Sequence, residues 1–170
     1  VLFRSASFEE NGQAGLGAVL VNGAGKVLAW FGMCLSQKQM APFLSTGQQT
    51  IIGELETLAV ALSLLVWQDL LESVQLMVYI DNEGSKFSLI KGYSTSKAIT
   101  AVCALAATTL DAHFVLPWFA RVPSISNIAD YPSRQLEHPL LLKDTMVPQE
   151  EVGRSFEESL TFLKGALTPP

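Results

Sequence analysis

Three acidic side chains interrupt apolar surroundings in this sequence. Glu54 lies near the start of the run IIGELETLAVALSLLVW, Asp81 follows the run VQLMVYI, and Asp130 closes VPSISNIAD. Acids are seldom buried unless they are paired or bind a metal. Each also has an ordinary explanation. A Glu in the first turn of a helix complements the macrodipole, and an Asp after a strand or loop can cap the next helix. The combination is what suggests chemistry, because hard divalent cations prefer carboxylate oxygens and α/β folds keep their sites at the carboxyl ends of strands, where Asp81 falls.

The elements that must position these acids follow from hydrophobic periodicity. Residues 1–8, 15–21 and 26–33 read as strands, with Asn22-Gly23-Ala24-Gly25 as hairpin turn chemistry between the last two. A polar loop with Pro42 and Gly47 leads to a helix over 51–67 that is apolar almost all round, the pattern of an element packed on more than one side. Residues 74–80 form a fourth strand, 83–91 a short helix stopped by Gly92, and 96–110 a helix with Ile99, Val102, Cys103, Ala106 and Leu110 at helical spacing. A fifth strand over about 113–122 contains Pro117, which cannot donate to a ladder and therefore belongs on a sheet edge. A last helix carries Val152, Phe156, Leu160, Leu163 and Leu167 on one face, before Pro169 and Pro170. Trp30, Trp67 and Trp118 fall within these elements and read as core packing.

Composition bounds the function. With 170 residues, 49% hydrophobic and 16% charged, the chain is long enough to bury one sizeable core. Its most apolar run, residues 58–67, is far shorter than the roughly 20 residues of a membrane helix, so no membrane role is expected. Cys34 and Cys103 have no metal-type spacing, which suits buried thiols in a reducing intracellular setting, cytoplasm or nucleus. A net charge of −5 argues against a free-standing nucleic-acid binder, since affinity for the phosphate backbone comes from Lys and Arg. The start at Val1, with no methionine, suggests a module of a longer protein.

Four stretches, in order, resemble the ribonuclease H domain that accompanies reverse transcriptase in retroelements: GLGAVLV, GELETLAVALSLLVW, VYIDNEGSKFSLIKG and, most specifically, WFARVPSISNIADYPSR. The resemblance covers residues 1–134, leaving 135–170 as a C-terminal extension with a helix. It implies an α/β fold of the RNase H-like class, a five-stranded mixed sheet of order 3-2-1-4-5 flanked by helices, with the first three strands antiparallel. It further implies cleavage of the RNA strand of an RNA–DNA hybrid by two Mg²⁺ or Mn²⁺ ions on an Asp-Glu-Asp-Asp quartet, with an adjoining reverse transcriptase domain as partner. Glu54, Asp81 and Asp130 match the second, third and fourth members. Glu56 is set aside because a two-residue helical step turns it away from Glu54.

The first member departs from the pattern. LFRSAS places Ser5 where the family has the Asp that touches both ions, which removes one negative charge and a ligand from each metal. Glu9 shares the strand face of Ser5 and Ser7 but lies more than about 10 Å further along. Weak metal binding, and slow or absent cleavage, is therefore expected. No histidine occurs between Val122 and Asp130, where many relatives carry one, and His138 reads as a surface loop residue.

Around the acids, Asn82, Ser124, Asn127, Arg121 and Arg134 are candidate substrate contacts. Asn82 could equally stabilise the turn after the fourth strand, and Ser124, Ser126 and Asn127 could hold Asp130 in place. Two function classes result: an impaired metal-dependent nuclease, or a catalytically inactive RNase H-like module for scaffolding or binding. A 3′–5′ exonuclease of related fold is disfavoured, because the first strand lacks an Asp-x-Glu pair.

Overall fold

A computed structural model describes residues 1–9, 12–44 and 51–167. Five strands, β1 (Leu2–Phe8), β2 (Ala14–Val21), β3 (Val27–Leu35), β4 (Gln75–Ile80) and β5 (Leu116–Arg121), form one sheet of order β3-β2-β1-β4-β5. β1 pairs antiparallel with β2, and β2 with β3, while β4 runs parallel to both β1 and β5. Pro117 sits on the β5 edge, where its missing N–H leaves no ladder bond unmade.

The helices are α1 (Gln37–Leu44), α2 (Ile52–Val66), α3 (Glu83–Lys91), α4 (Lys97–Ala112), α5 (Asp130–Ser133) and α6 (Gln149–Leu167). Every residue of α2 from Glu54 to Val66 is buried, because the helix packs on β1 and β2 and also against α4 and α6. Val152, Phe156, Leu160 and Leu163 of α6 close this core, so the face of the last helix is covered by the chain's own elements. Gly92 ends α3 in the left-handed region at φ 77°, which a residue without Cβ adopts at no steric cost.

Two local expectations are corrected. The segment with Pro42 is helical: Ser36 and Gln39 form a capping box, the Gln39 side chain accepting from Ser36 N at 2.9 Å, and Pro42 falls in the last turn. Gly47, Pro169 and Pro170 lie outside the described residues. Trp118 is not in the core but 69% exposed, because its position on the edge strand faces outward. Trp67 is buried against Phe31, and Trp30 donates through Nε1 to Leu142 O at 2.8 Å, pinning the segment before α6 to the outer edge of β3.

Candidate active site

β1 is the central strand, and its alternation sends neighbouring side chains to opposite faces. Leu2, Arg4 and Ala6 share the parity that faces α2, and all three are buried. Ser5 and Ser7 face the other way, toward α5. Arg4 is 0% exposed, although a charged side chain is almost never fully buried without a partner. Its partners are acids: Nη1 lies 3.5 Å from Asp81 Oδ1 and 3.8 Å from Glu56 Oε2.

Asp81 is free for this role because it is not the cap of α3. Asn82 takes that position, its side chain accepting from Ser85 N at 3.0 Å. The β4 strand thus ends on a carboxylate aimed at the centre of the sheet, and the amide beside it secures the turn. Asn82 is accordingly committed to local structure.

The two glutamates of α2 diverge. Glu54 Oε1 accepts from Ser96 Oγ at 3.0 Å, toward the start of α4, whereas Glu56 faces Arg4 and accepts from Ser85 Oγ at 3.2 Å. Two residues on a helix correspond to a rotation of about 200°, so only one of the pair can face β1. The geometry selects Glu56. The two carboxylates rotate apart as expected, and it is Glu56, not the Glu54 expected from the resemblance, that meets Arg4.

Asp130 opens α5, held by its N–H to Asn127 O at 3.0 Å and by Ser133 Oγ donating to Asp130 O at 3.0 Å. The Ser5 hydroxyl, which donates to Ala6 O at 3.5 Å, lies close enough to the Asp130 carboxyl to favour its charged form. The α5 turn itself is seated by Ser7 Oγ donating to Ser133 O at 2.8 Å. Gly15, Gly17 and Gly32 make room for it, since a Cβ on any of them would collide with the backbone of Ser133 or Pro132. GLGAVLV therefore carries a positional role for Asp130.

The remaining candidates divide by exposure. Asn127 is buried and donates through Nδ2 to Arg4 O at 3.0 Å, latching the loop before Asp130 onto β1. Ser124, Arg121 and Arg134 are exposed on the same loop and its flanks. Arg121 makes a surface ion pair with Glu83 at 4.0 Å, and Arg134 lies close enough to Asp130 to favour its charged form. His138 packs against Tyr131 with the rings tilted and their centroids 4.4 Å apart, and its Nδ1 accepts from Leu140 N, a local structural role.

Electrostatically the cluster is under tension. Burial pushes the Glu56 carboxyl up to about 7, against the pull of Arg4. Burial likewise raises Asp130, opposed by the Ser5 hydrogen bond, and lowers the Arg4 guanidinium against the pull of Glu56, Asp81 and Asp130. Arg4 Nε, Nη1 and Nη2, Asp81 Oδ1 and Asp130 Oδ1 are buried without a hydrogen-bond partner among the described residues. Charge-assisted hydrogen bonds are near 2.8 Å, so at 3.5–3.8 Å this cluster is held by Coulomb attraction.

These residues do not fit a pair of divalent cations. Ser5 brings only a neutral hydroxyl near Asp130, and the Arg4 guanidinium lies against Glu56 and Asp81. Among the described residues no three His, Cys, Asp or Glu side chains are arranged to hold a metal ion. Sequence reasoning missed Arg4, although its signal was present: a cation at the core-facing parity of Leu2 and Ala6.

No family model matches the chain, and no curated protein matches it. Solved structures do. RNase H1 from the halophilic archaeon Halobacterium salinarum superposes with a TM-score of 0.64 at 18% identity, covering 79% of this chain and 93% of that one. The chain has the RNase H-like fold. The N-terminal RNase H domain of a Mycobacterium tuberculosis protein gives 0.62 at 17%, covering 79% and 89%. An RNase H1 isolated from compost gives 0.60 at 17%, covering 94% and 96%, so the RNase H-like likeness there extends over nearly the whole chain. No helix among the described residues is long and apolar enough to cross a membrane.

Proposed function

We propose that the chain is a ribonuclease H-type domain of a retroelement, working beside an adjoining reverse transcriptase domain, that engages RNA–DNA hybrid but cleaves its RNA strand slowly or not at all. The observation that carries this reading is the Arg4 guanidinium at 3.5 Å from Asp81 and 3.8 Å from Glu56, with Ser5 beside Asp130. The architecture that gathers acids is kept, while their net negative charge, the property that attracts Mg²⁺ or Mn²⁺, is reduced at two neighbouring positions of β1. Residues 1–134 form the nuclease-type unit in this reading, and 135–170 an extension. Hybrid contact would fall to the exposed rim of Ser124, Arg121 and Arg134, and would read backbone shape and 2′-hydroxyls.

A second reading, a scaffold that contacts protein, is favoured by the apolar side chains of Leu116 and Trp118, which are exposed on the β5 edge, and by the net charge of −5. The deciding experiment measures binding and Mg²⁺- or Mn²⁺-dependent hydrolysis of an RNA–DNA hybrid by the wild type, by Ser5→Asp, and by Arg4→Thr/Ser5→Asp. Hybrid binding without hydrolysis by the wild type is expected. Divalent-dependent hydrolysis by the wild type that Glu56→Gln abolishes would overturn the impairment, and absence of hybrid binding would transfer the reading to the scaffold.

A further inference from the structure

We propose that Arg4 is a tethered counter-cation, which gives the acidic cluster from inside the chain the charge balance that a bound divalent ion would otherwise supply. The inference concerns the same site as the proposed function and rests on its geometry. Three observations support it. Arg4 is completely buried, its three guanidinium nitrogens have no hydrogen-bond partner among the described residues, and its Nη1 faces two carboxylates from two different elements, Glu56 of α2 and Asp81 at the end of β4. Asp130, from a third element, adds its field to theirs.

A side chain recruited for shape alone would not carry a charge into this position, because desolvating a cation is costly unless nearby anions offset it. The converse holds for the acids. With Arg4 gone, Glu56, Asp81 and Asp130 would be left as close like charges in a region of low dielectric, where their repulsion is poorly screened. Only protonation or an external cation could relieve it. The chain should therefore fold and hold its β1–β4–α5 junction without any divalent ion, and it should acquire a dependence on one when Arg4 is removed.

The test is thermal unfolding of the full chain in chelator, Mg²⁺ and Mn²⁺, with Mn²⁺ binding followed by the loss of its free electron paramagnetic resonance signal. Wild type is expected to melt at one temperature in all three conditions and to leave the Mn²⁺ signal unchanged. Arg4→Ala should melt lower in chelator and recover by about 5–10 °C at a Mn²⁺ concentration roughly 100 times its Kd. Arg4→Met/Glu56→Gln/Asp81→Asn, in which the cation and two of its acids are neutral, should melt close to wild type with no response to Mn²⁺. Mn²⁺ bound by wild type and lost in Glu56→Gln would overturn the proposal. So would an Arg4→Ala chain that melts like wild type without metal, or failure of both variants to fold, which would make Arg4 a packing residue. None of these outcomes depends on hybrid binding, so the proposed function stands or falls separately.

Discussion

Ser96 Oγ donates to Glu54 Oε1 at 3.0 Å while accepting from Ile99 N at 3.3 Å, so a single hydroxyl caps α4 and satisfies a buried carboxylate of α2. This relationship takes Glu54 out of the cluster at the centre of the sheet. Ser96→Ala should lower stability by about 1–2 kcal/mol through the lost cap, and by more where Glu54 is left unpaired. Urea unfolding of Ser96→Ala and Ser96→Thr checks it, with Thr expected to retain most of the wild-type stability.

Glu56 implies a pH dependence. Its carboxyl titrates near 7 in the folded chain and near 4.5 in an ordinary environment, raised chiefly by burial and facing Arg4, Asp81, Asp130 and the Ser85 hydroxyl. The folded state therefore binds more protons than the unfolded state between those values, and stability falls as pH rises from about 4.5 to about 7, then levels off. The slope is at most about 1.4 kcal/mol per pH unit for one group. Unfolding measured across this window should flatten in Glu56→Gln; a slope unchanged by that substitution would contradict the assignment.

Gly17 and Gly32 sit directly beneath α5, where a Cβ would meet the backbone of Ser133, Ala129 or Pro132. Backbone cannot yield as a flexible side chain does, so Gly17→Ala and Gly32→Ala should each cost about 1–3 kcal/mol or displace α5. Amide exchange at Asp130 and Ser133 would rise in both variants, while Gly23→Ala, with open space around it, should leave stability near wild type.

The two thiols should differ in reactivity. Cys34 is exposed, whereas Cys103 is buried in α4 and its thiol is pushed up to about 11 by burial. The thiolate is the nucleophile, so an alkylating reagent at neutral pH should label Cys34 first, with Cys103 following only on unfolding. Mass spectrometry of the labelled peptides reads the order directly.

Much of this arrangement is legible without coordinates. Alternation and helical spacing place the strands and the long helices, and Pro117 alone assigns β5 to an edge, because a proline's missing donor is a local property. Asp81 and Asp130 stand out as acids at the ends of apolar segments, and Ser5 as a hydroxyl where the sequence resemblance leads one to expect an acid. The α1 helix and Trp118 were misread for local reasons: the Ser36–Gln39 capping box competes with the breaker signal of Pro42, and an apolar residue on an edge strand has the same periodicity whether or not a neighbour covers it.

What only the tertiary structure decides is azimuth. A helix that is apolar on all sides has no preferred inward direction in its own sequence, so which of Glu54 and Glu56 meets β1 is set by how α2 wedges between the sheet, α4 and α6. The partner of Arg4 is decided in the same way, because its two nearest acids are 52 and 77 residues away along the chain and meet it only when β4 aligns parallel to β1. Residue type determines that a buried charge must find compensation; long-range packing determines which group supplies it.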